Sequence, residues 1–215
     1  SKFRNGVVKT YTERDGLSND IIRSLYLDSD GTLWIGTEGG GLNRLKNERV
    51  VPITESNGLY DNVVSTILED GQGNLWMSCN RGVFCVSRKD LNDFADGNLL
   101  QIKCVAYGTA HGMKSAECNG GSQPAGWKSK DGRLWFPTVK GVAVIDPKSI
   151  RMNRQPPSVV IENVVVDSAT YKHQNELALP PGQQRFEFHY TALSFIAPEK
   201  MQFRYKLEGH DREWV

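Results

Sequence analysis

Three short runs in this sequence are apolar at successive positions: Leu33-Trp34-Ile35, Leu75-Trp76-Met77 and Leu134-Trp135-Phe136. Neighbouring side chains of a β-strand project to opposite faces, so a strand without alternation needs cover on both. The runs are flanked by β-rich stretches, punctuated by Asp30-Gly31, Gly71-Gln72-Gly73-Asn74 and Asp131-Gly132. Gly, Asn and Asp tolerate positive φ, so these connections predict hairpin turns between antiparallel strands.

The runs belong to a repeat. Gly16-Leu17-Ser18-Asn19-Asp20 aligns with Gly58-Leu59-Tyr60-Asp61-Asn62 at an offset of 42 residues (Gly16 to Gly58, Trp34 to Trp76). Asp28 then meets Asp70 and Gly31 meets Gly73, and a one-residue slip sets Leu42 on Val83. A third copy runs from Asp131 to Val142, its Trp135 lying 59 residues after Trp76. The extra length predicts an insertion, with the polar, Asp-rich stretch from Ser87 to Asn98 as part of it. A period of about 40–45 residues with Trp and Gly at fixed offsets is the signature of propeller blades. Blades stack on one another, which covers both faces of each Trp strand without helices. The tryptophans read as packing between blades rather than as ligand platforms.

Composition changes little in this picture. Twenty-six Lys and Arg against 25 Asp and Glu give a net charge of +1, without the basic excess that a phosphate-tracking surface needs. Nucleic acid is therefore not an expected partner. No apolar run reaches the 18 residues of a membrane-spanning helix, and Ser1 to Asn5 does not lead into a secretory signal. Four cysteines, Cys79, Cys85, Cys104 and Cys118, form no C-x-x-C pair and read as free thiols, with a cross-strand Cys79–Cys85 bridge as the alternative. No zinc or other metal site is expected. Asp28-Ser29-Asp30-Gly31 resembles part of a calcium loop but lacks a ligand at Tyr26 and a distal Glu, so it reads as a turn. Gly39-Gly40-Gly41 is not followed by Gly-Lys-Ser/Thr, so it does not read as a phosphate cradle.

The stretch from Gly16 to Leu42, written Gly-Leu-x-x-Asn/Asp…Asp-x-x-Gly-x-Leu-Trp-Ile-Gly-Thr-x-x-Gly-Gly-Leu, resembles the two-component-regulator propeller repeat. Downstream, Phe186-x-Phe188-x-Tyr190-Thr191-Ala192-Leu193-Ser194-Phe195, Pro198-Glu199 and Tyr205-x-Leu207-Glu208-Gly209-x-Asp211…Trp214 resemble the start of a three-Y domain. The resemblance implies an all-β chain: a partial β-propeller of about three blades over residues 1–153, then an incomplete immunoglobulin-like β-sandwich over 154–215. It also implies the periplasmic sensor region of an inner-membrane bacterial receptor, passing a binding signal through the three-Y domain to an output module. That module, a kinase or a diguanylate cyclase, is not in this sequence, and the membrane would be met only through flanking segments. Val7 to Tyr11 reads as the last strand of a preceding blade, and the stretch from Ser158 to Leu207 as three or four strands, Phe203 to Leu207 among them. Both ends therefore read as incomplete, and uncovered blade faces and sheet edges predict self-association. For the full receptor the resemblance implies a homodimer through other surfaces.

Blade topology places a ligand. The connection into a blade's first strand and the one between its second and third share an end. Candidate ligand-binding residues on that face are Asn19, Asp20 and Glu38 from the first copy and Asp61, Asn62, Asn80 and Arg81 from the second. Lys114, Glu117, Asn119 and Gln123 come from the longer approach to the third. The ligand would be small, with an oligosaccharide as one candidate; no cofactor is implied. No catalytic residue can be named, because His111 has no Ser or Asp partner legible in sequence and the loop acids are isolated. The reading is a non-enzymatic sensor, with a protein-binding propeller scaffold as the alternative and a propeller glycan lyase or hydrolase behind it.

Overall fold

The computed structural model describes residues 1–150, 159–172, 178, 182, 185–192 and 203–213. The chain divides into two compact units, Ser1–Ile150 and Arg151–Val215.

The first unit opens with a hairpin, β1 (Lys2–Arg4) and β2 (Val7–Lys9). The first full blade is the antiparallel sheet of β3 (Ile22–Leu27), β4 (Leu33–Thr37), β5 (Leu42–Lys46) and β6 (Arg49–Ile53). The second holds β7 (Thr66–Glu69), β8 (Asn74–Cys79), β9 (Gly82–Ser87) and, after helix α1 (Arg88–Ala95), β10 (Val105–Tyr107). The third has three strands, β11 (Trp127–Lys128), β12 (Leu134–Thr138) and β13 (Gly141–Ile145). In the second unit β14 (Val159–Val166) lies between β15 (Ala169–Lys172) and β16 (Phe186–Ala192), all antiparallel.

The opening hairpin extends the repeat backwards. Asn5 and Gly6 (φ 51° and 80°) make the same left-handed turn as Asn47 and Glu48 (φ 50° and 65°) between β5 and β6. The hairpin thus occupies the place of a preceding blade's third and fourth strands. Each blade is then entered through a 3-10 turn ending in a left-handed glycine: Glu13–Asp15 with Gly16, Glu55–Asn57 with Gly58, and Thr109–His111 with Gly112.

The Trp strands stack as the lack of alternation requires. Trp34 is wholly buried in one cluster with Ile67, Leu75, Met77, Phe84 and Val86 of the second blade. Trp76 is buried in another with Leu134 and Phe136 of the third. Trp135, facing away from the second blade, is only partly buried. Each indole is also pinned to its own β-turn. Trp34 Nε1 donates to Asp28 Oδ2 and Trp76 Nε1 to Asp70 Oδ2, both at 2.9 Å, and Trp135 Nε1 to Ser129 Oγ at 3.0 Å. Asp28 Oδ1 accepts from the backbone N–H groups of Asp30 and Thr32, so both its oxygens are engaged within the turn. Burial pushes the Asp70 carboxyl up, but donors from Trp76, Asn74 and Gln72 outweigh it and hold it below its ordinary value.

The insertion is a capped helix within the second blade. Ser87 Oγ accepts from Asp90 N at 3.3 Å, and Leu91 and Ala95 face the core. Past its end, Asp96 receives two hydrogen bonds from the buried Arg44 of the first blade, at 2.6 and 3.4 Å. The chain must cross close to β9 to add β10. A Cβ on Gly82 (φ 138°) would lie 2.2 Å from the Tyr107 carbonyl oxygen, so only glycine fits.

One expectation changes. Phe203 to Leu207 is not a strand: it makes no ladder among the described residues, and its ends are held otherwise. Tyr190 meets the Phe203 ring at 4.9 Å, and Leu207 N donates to Asp211 Oδ2 at 2.7 Å. Within the third copy's approach, Gly112 to Gln123, the extra residues are those after Asn119. Cys118 N donates to Cys79 O and Asn119 N to Pro137 O, as Val64 N does to Thr37 O and Ser65 N to Ser78 O. The innermost strand of the third blade is interrupted there and resumes at Trp127. Parts of the three-Y-like stretch, including Leu193 to Phe195, Pro198-Glu199 and Trp214, lie outside the described residues. The four cysteines are free, and Cys79 and Cys85 are not cross-strand partners: Cys79 pairs with Gly82 and Cys85 with Trp76.

Candidate ligand-receiving face

The loops into each blade and those between its second and third strands meet at one end of the first unit. Glu38 N donates to Ile21 O at 3.0 Å, and Gly39 N and Gly41 N both donate to Asn62 O, at 3.0 and 2.7 Å. Val139 N repeats the first contact in the third blade, donating to Glu117 O at 3.1 Å. The face is thus stitched together through main chain, with side chains left for other roles.

Several predicted residues spend their side chains on the repeat itself. Asn19 Oδ1 accepts from Ile21 N at 2.7 Å and Asp61 Oδ1 from Val63 N at 2.8 Å, the same two-residue turn in successive copies. Asp20 Oδ1 accepts from Glu13 N at 2.8 Å and Asn62 Oδ1 from Glu55 N at 2.9 Å, each holding the start of a 3-10 turn. His111 Nδ1 accepts from Gly108 N at 3.3 Å within its own 3-10 turn, as Asp15 Oδ2 does from Thr12 N and Asn57 Oδ1 from Thr54 N, both at 2.9 Å, in the first two copies.

The structure brings other predicted residues together in two groups. In one, Arg81 donates through Nε to the buried Asp61 Oδ2 at 2.9 Å and through Nη2 to Glu55 and the Tyr60 carbonyl. Its guanidinium also lies 4.8 Å over the Tyr60 ring. The hydrogen bond that Arg81 donates to Asp61 raises the Arg81 pKa, and burial raises that of Tyr60. In the other, Arg23 Nε meets Glu38 Oε2 at 2.6 Å, both side chains about a third exposed. Gln123 Nε2 donates to the Arg23 carbonyl oxygen at 2.8 Å. A β-bulge between Ile22 and Ser24 leaves Arg23 outside the regular ladder. Gly120 lies against Ser65, and Gly126 against Thr66 and Leu68, of the second blade's innermost strand. The insertion from 119 to 126 therefore runs past the second blade and reaches the first.

Asn80, Lys114, Glu117 and Asn119 are exposed. Lys114 lines a groove of about 690 Å³ beside β13, with His111, Met113, Lys140 and Val142. Arg23, Glu55 and Tyr60 were not among the expected site residues. Tyr60 stood in the loop already singled out, whereas nothing in the sequence marks the bulge that presents Arg23. Among the described residues, no three His, Cys, Asp or Glu side chains gather as a metal site.

No curated protein matches the chain. Two solved structures of the extracellular domain of BT4673 from B. thetaiotaomicron, described in one as a hybrid two component system and in the other as a one component system, match it. Identities are 19% and 18%, each TM-score is 0.50, and the matches cover 74% and 75% of this chain and 25% of each of theirs. The extracellular domain of the hybrid two component system BT3049 from the same organism is 18% identical, with a TM-score of 0.41 over 97% of this chain and 34% of its own. The chain thus spans a quarter to a third of the length of these structures, and the likeness to the two BT4673 structures is one of fold. The family described as two component regulator propeller matches residues 16–39 and 58–81. Those segments hold the Asn19 and Asp61 turns, the Trp34 and Trp76 strands and the loops that meet at Asn62: residues 16–39 and 58–81 are two-component-regulator propeller repeats.

Proposed function

We propose that the chain is part of the extracytoplasmic sensor region of a bacterial signal-transduction receptor, and that its blades receive a small ligand without turning it over. The observation that carries this reading is the pair of two-component-regulator repeats, folded as adjacent blades whose loops meet on one face. The face is polar and pre-organised. The side chains of Asn19, Asp20, Asp61 and Asn62 hold turns, and four of its charged groups stand as the pairs Arg23–Glu38 and Arg81–Asp61. Paired groups of this kind suit hydrogen bonding to a neutral polyhydroxylated ligand, which needs donors and acceptors side by side rather than a net charge. The second unit, with three-Y-like sequence on β16, would carry the signal towards the membrane from a periplasmic position.

The test is the melting temperature of the chain against a panel of neutral and acidic oligosaccharides of about four to six sugars, with product analysis of each mixture. A concentration-dependent rise in Tm with the sugar recovered intact supports a sensor. Release of shorter sugars contradicts it in favour of a glycan-cleaving enzyme. Absence of any shift across the panel contradicts the oligosaccharide assignment.

A further inference from the structure

The two outer strands of the first blade carry three cations on one side of the sheet. Arg44 and Lys46 stand two residues apart on β5, so their side chains project the same way. Val51 and Arg49 of β6 lie across from them, in the pairs Arg44–Val51 and Lys46–Arg49. Trp34 of β4 pairs with Arg44, so this is the side that the second blade covers. Near the outer rim the cover is α1, whose C-terminal cap Asp96 meets Arg44. A pocket of about 370 Å³ lies there, lined by Arg44, Lys46, Asn47, Arg49, Val51 and Asp96. The β5–β6 turn beside it stands at the opposite end of the blade from the β4–β5 loop, away from the loop face.

Charge in this pocket is not balanced. Arg44 gives Nη1 and Nη2 to Asp96, and its buried Nε has no acceptor among the described residues. Lys46 and Arg49 make no ion pair or side-chain hydrogen bond among the described residues. Glu48, the acid in the turn between them, is taken by Lys9 and Tyr11. The Asp96 carboxyl is held below its ordinary value by the hydrogen bond from Arg44, and further by the charges of Lys46 and Arg49. All three cations thus surround one carboxylate, and two positive charges stay unanswered in a concave space, where the potential is focused.

We propose that this pocket is an anion site that takes a phosphate or sulfate group, as the inorganic ion or as the monoester of a small molecule. A doubly charged tetrahedral oxyanion matches the two unanswered charges. Its oxygens can accept from the planar fork of Arg49, with the Lys46 ammonium as a point charge beside it. A single carboxylate would leave one cation unanswered. The volume of about 370 Å³ falls at the low end of small-molecule pockets, which leaves room for the rest of an ester.

The test is calorimetric titration and thermal melting of the chain in chloride buffer at fixed ionic strength. The probes are inorganic phosphate, inorganic sulfate and glucose 6-phosphate. Both inorganic ions also stabilise proteins by exclusion from the surface, but that effect does not saturate and is shared by all variants. The wild type is expected to show a saturable heat and a saturable rise in Tm with at least one probe. Tighter binding of glucose 6-phosphate than of the free ions assigns an ester as the ligand, and the reverse order assigns the inorganic ion. Lys46 is half-buried and Arg49 exposed, so Lys46→Gln and Arg49→Gln are expected to fold, with circular dichroism as the check. Each is expected to weaken binding by about tenfold, the loss of one charge-assisted hydrogen bond. Lys130→Gln, at an exposed turn of the third blade, is expected to bind as the wild type does. No saturable binding of any probe, affinity unchanged in folded Lys46→Gln and Arg49→Gln, or an equal loss in Lys130→Gln overturns the proposal.

Discussion

Gln123 Nε2 donates to the main-chain oxygen of Arg23 at 2.8 Å, joining the segment that interrupts the third blade's innermost strand to the first blade's innermost strand, 100 residues away in sequence. The bond depends on two departures from the repeat, the interruption after Asn119 and the bulge at Arg23. Both sit on the end of the first unit where the loops of the three blades meet.

Removing that link should loosen the insertion without unfolding the blades. Gln123 is exposed and makes one hydrogen bond, so Gln123→Ala is expected to change global stability by less than about 1 kcal/mol. Amide hydrogen exchange of residues 119–126 should nevertheless quicken, while that of β8 and β9 stays as in the wild type. Equal protection of 119–126 in both proteins would show that the link does not hold the insertion.

The three tryptophans should not be equivalent in stability. Trp76→Ala removes a buried indole between two blades and should cost about 3–5 kcal/mol in urea unfolding. Asp70→Ala keeps the indole but leaves its N–H and the turn amides without their acceptor, at about 1–3 kcal/mol. Trp135→Ala should cost less than half of the Trp76 value, because its face is partly open. Equal losses at Trp76 and Trp135 would contradict the packing described.

The blades were legible because their signals are local: a Trp without alternation, a turn six residues before it, a glycine at each entry. The role of the Asn19 and Asp61 side chains was not, since the same Asx residue serves a turn or a ligand depending on which amide it faces. The helix from Arg88 to Ala95 was legible only as an insertion, its short polar sequence carrying two core residues, Leu91 and Ala95. Arg23 escaped notice because a bulge depends on the register of two strands, which sequence spacing leaves open. Phe203 to Leu207 shows the converse: its alternating aromatic and aliphatic residues fit a strand, but strand formation requires a partner edge.

Alkaline pH should destabilise the first unit through its buried thiols. Burial pushes Cys79 up to about 12, and Cys104 and Cys118 up to about 11, from an ordinary 9.0. The unfolded chain therefore loses these protons first. The stabilisation is whole below pH 9 and declines as pH rises from 9 towards 11 and 12. The urea midpoint is expected to fall over that range, and to fall less steeply in Cys79→Ala, whatever that variant loses at pH 7. An unchanged slope in the variant would mean that other groups govern the alkaline limit.

The reading of the loop face as the receiving surface is tested most directly by hydrogen exchange of the chain with and without an oligosaccharide that raises its Tm. Protection is predicted in peptides covering 18–24, 36–41, 60–63, 79–82 and 114–126, the loops that meet around Asn62 and Arg23. Protection centred instead on the opposite turns, 28–32, 70–74 and 129–133, with the loop face unchanged, would contradict it.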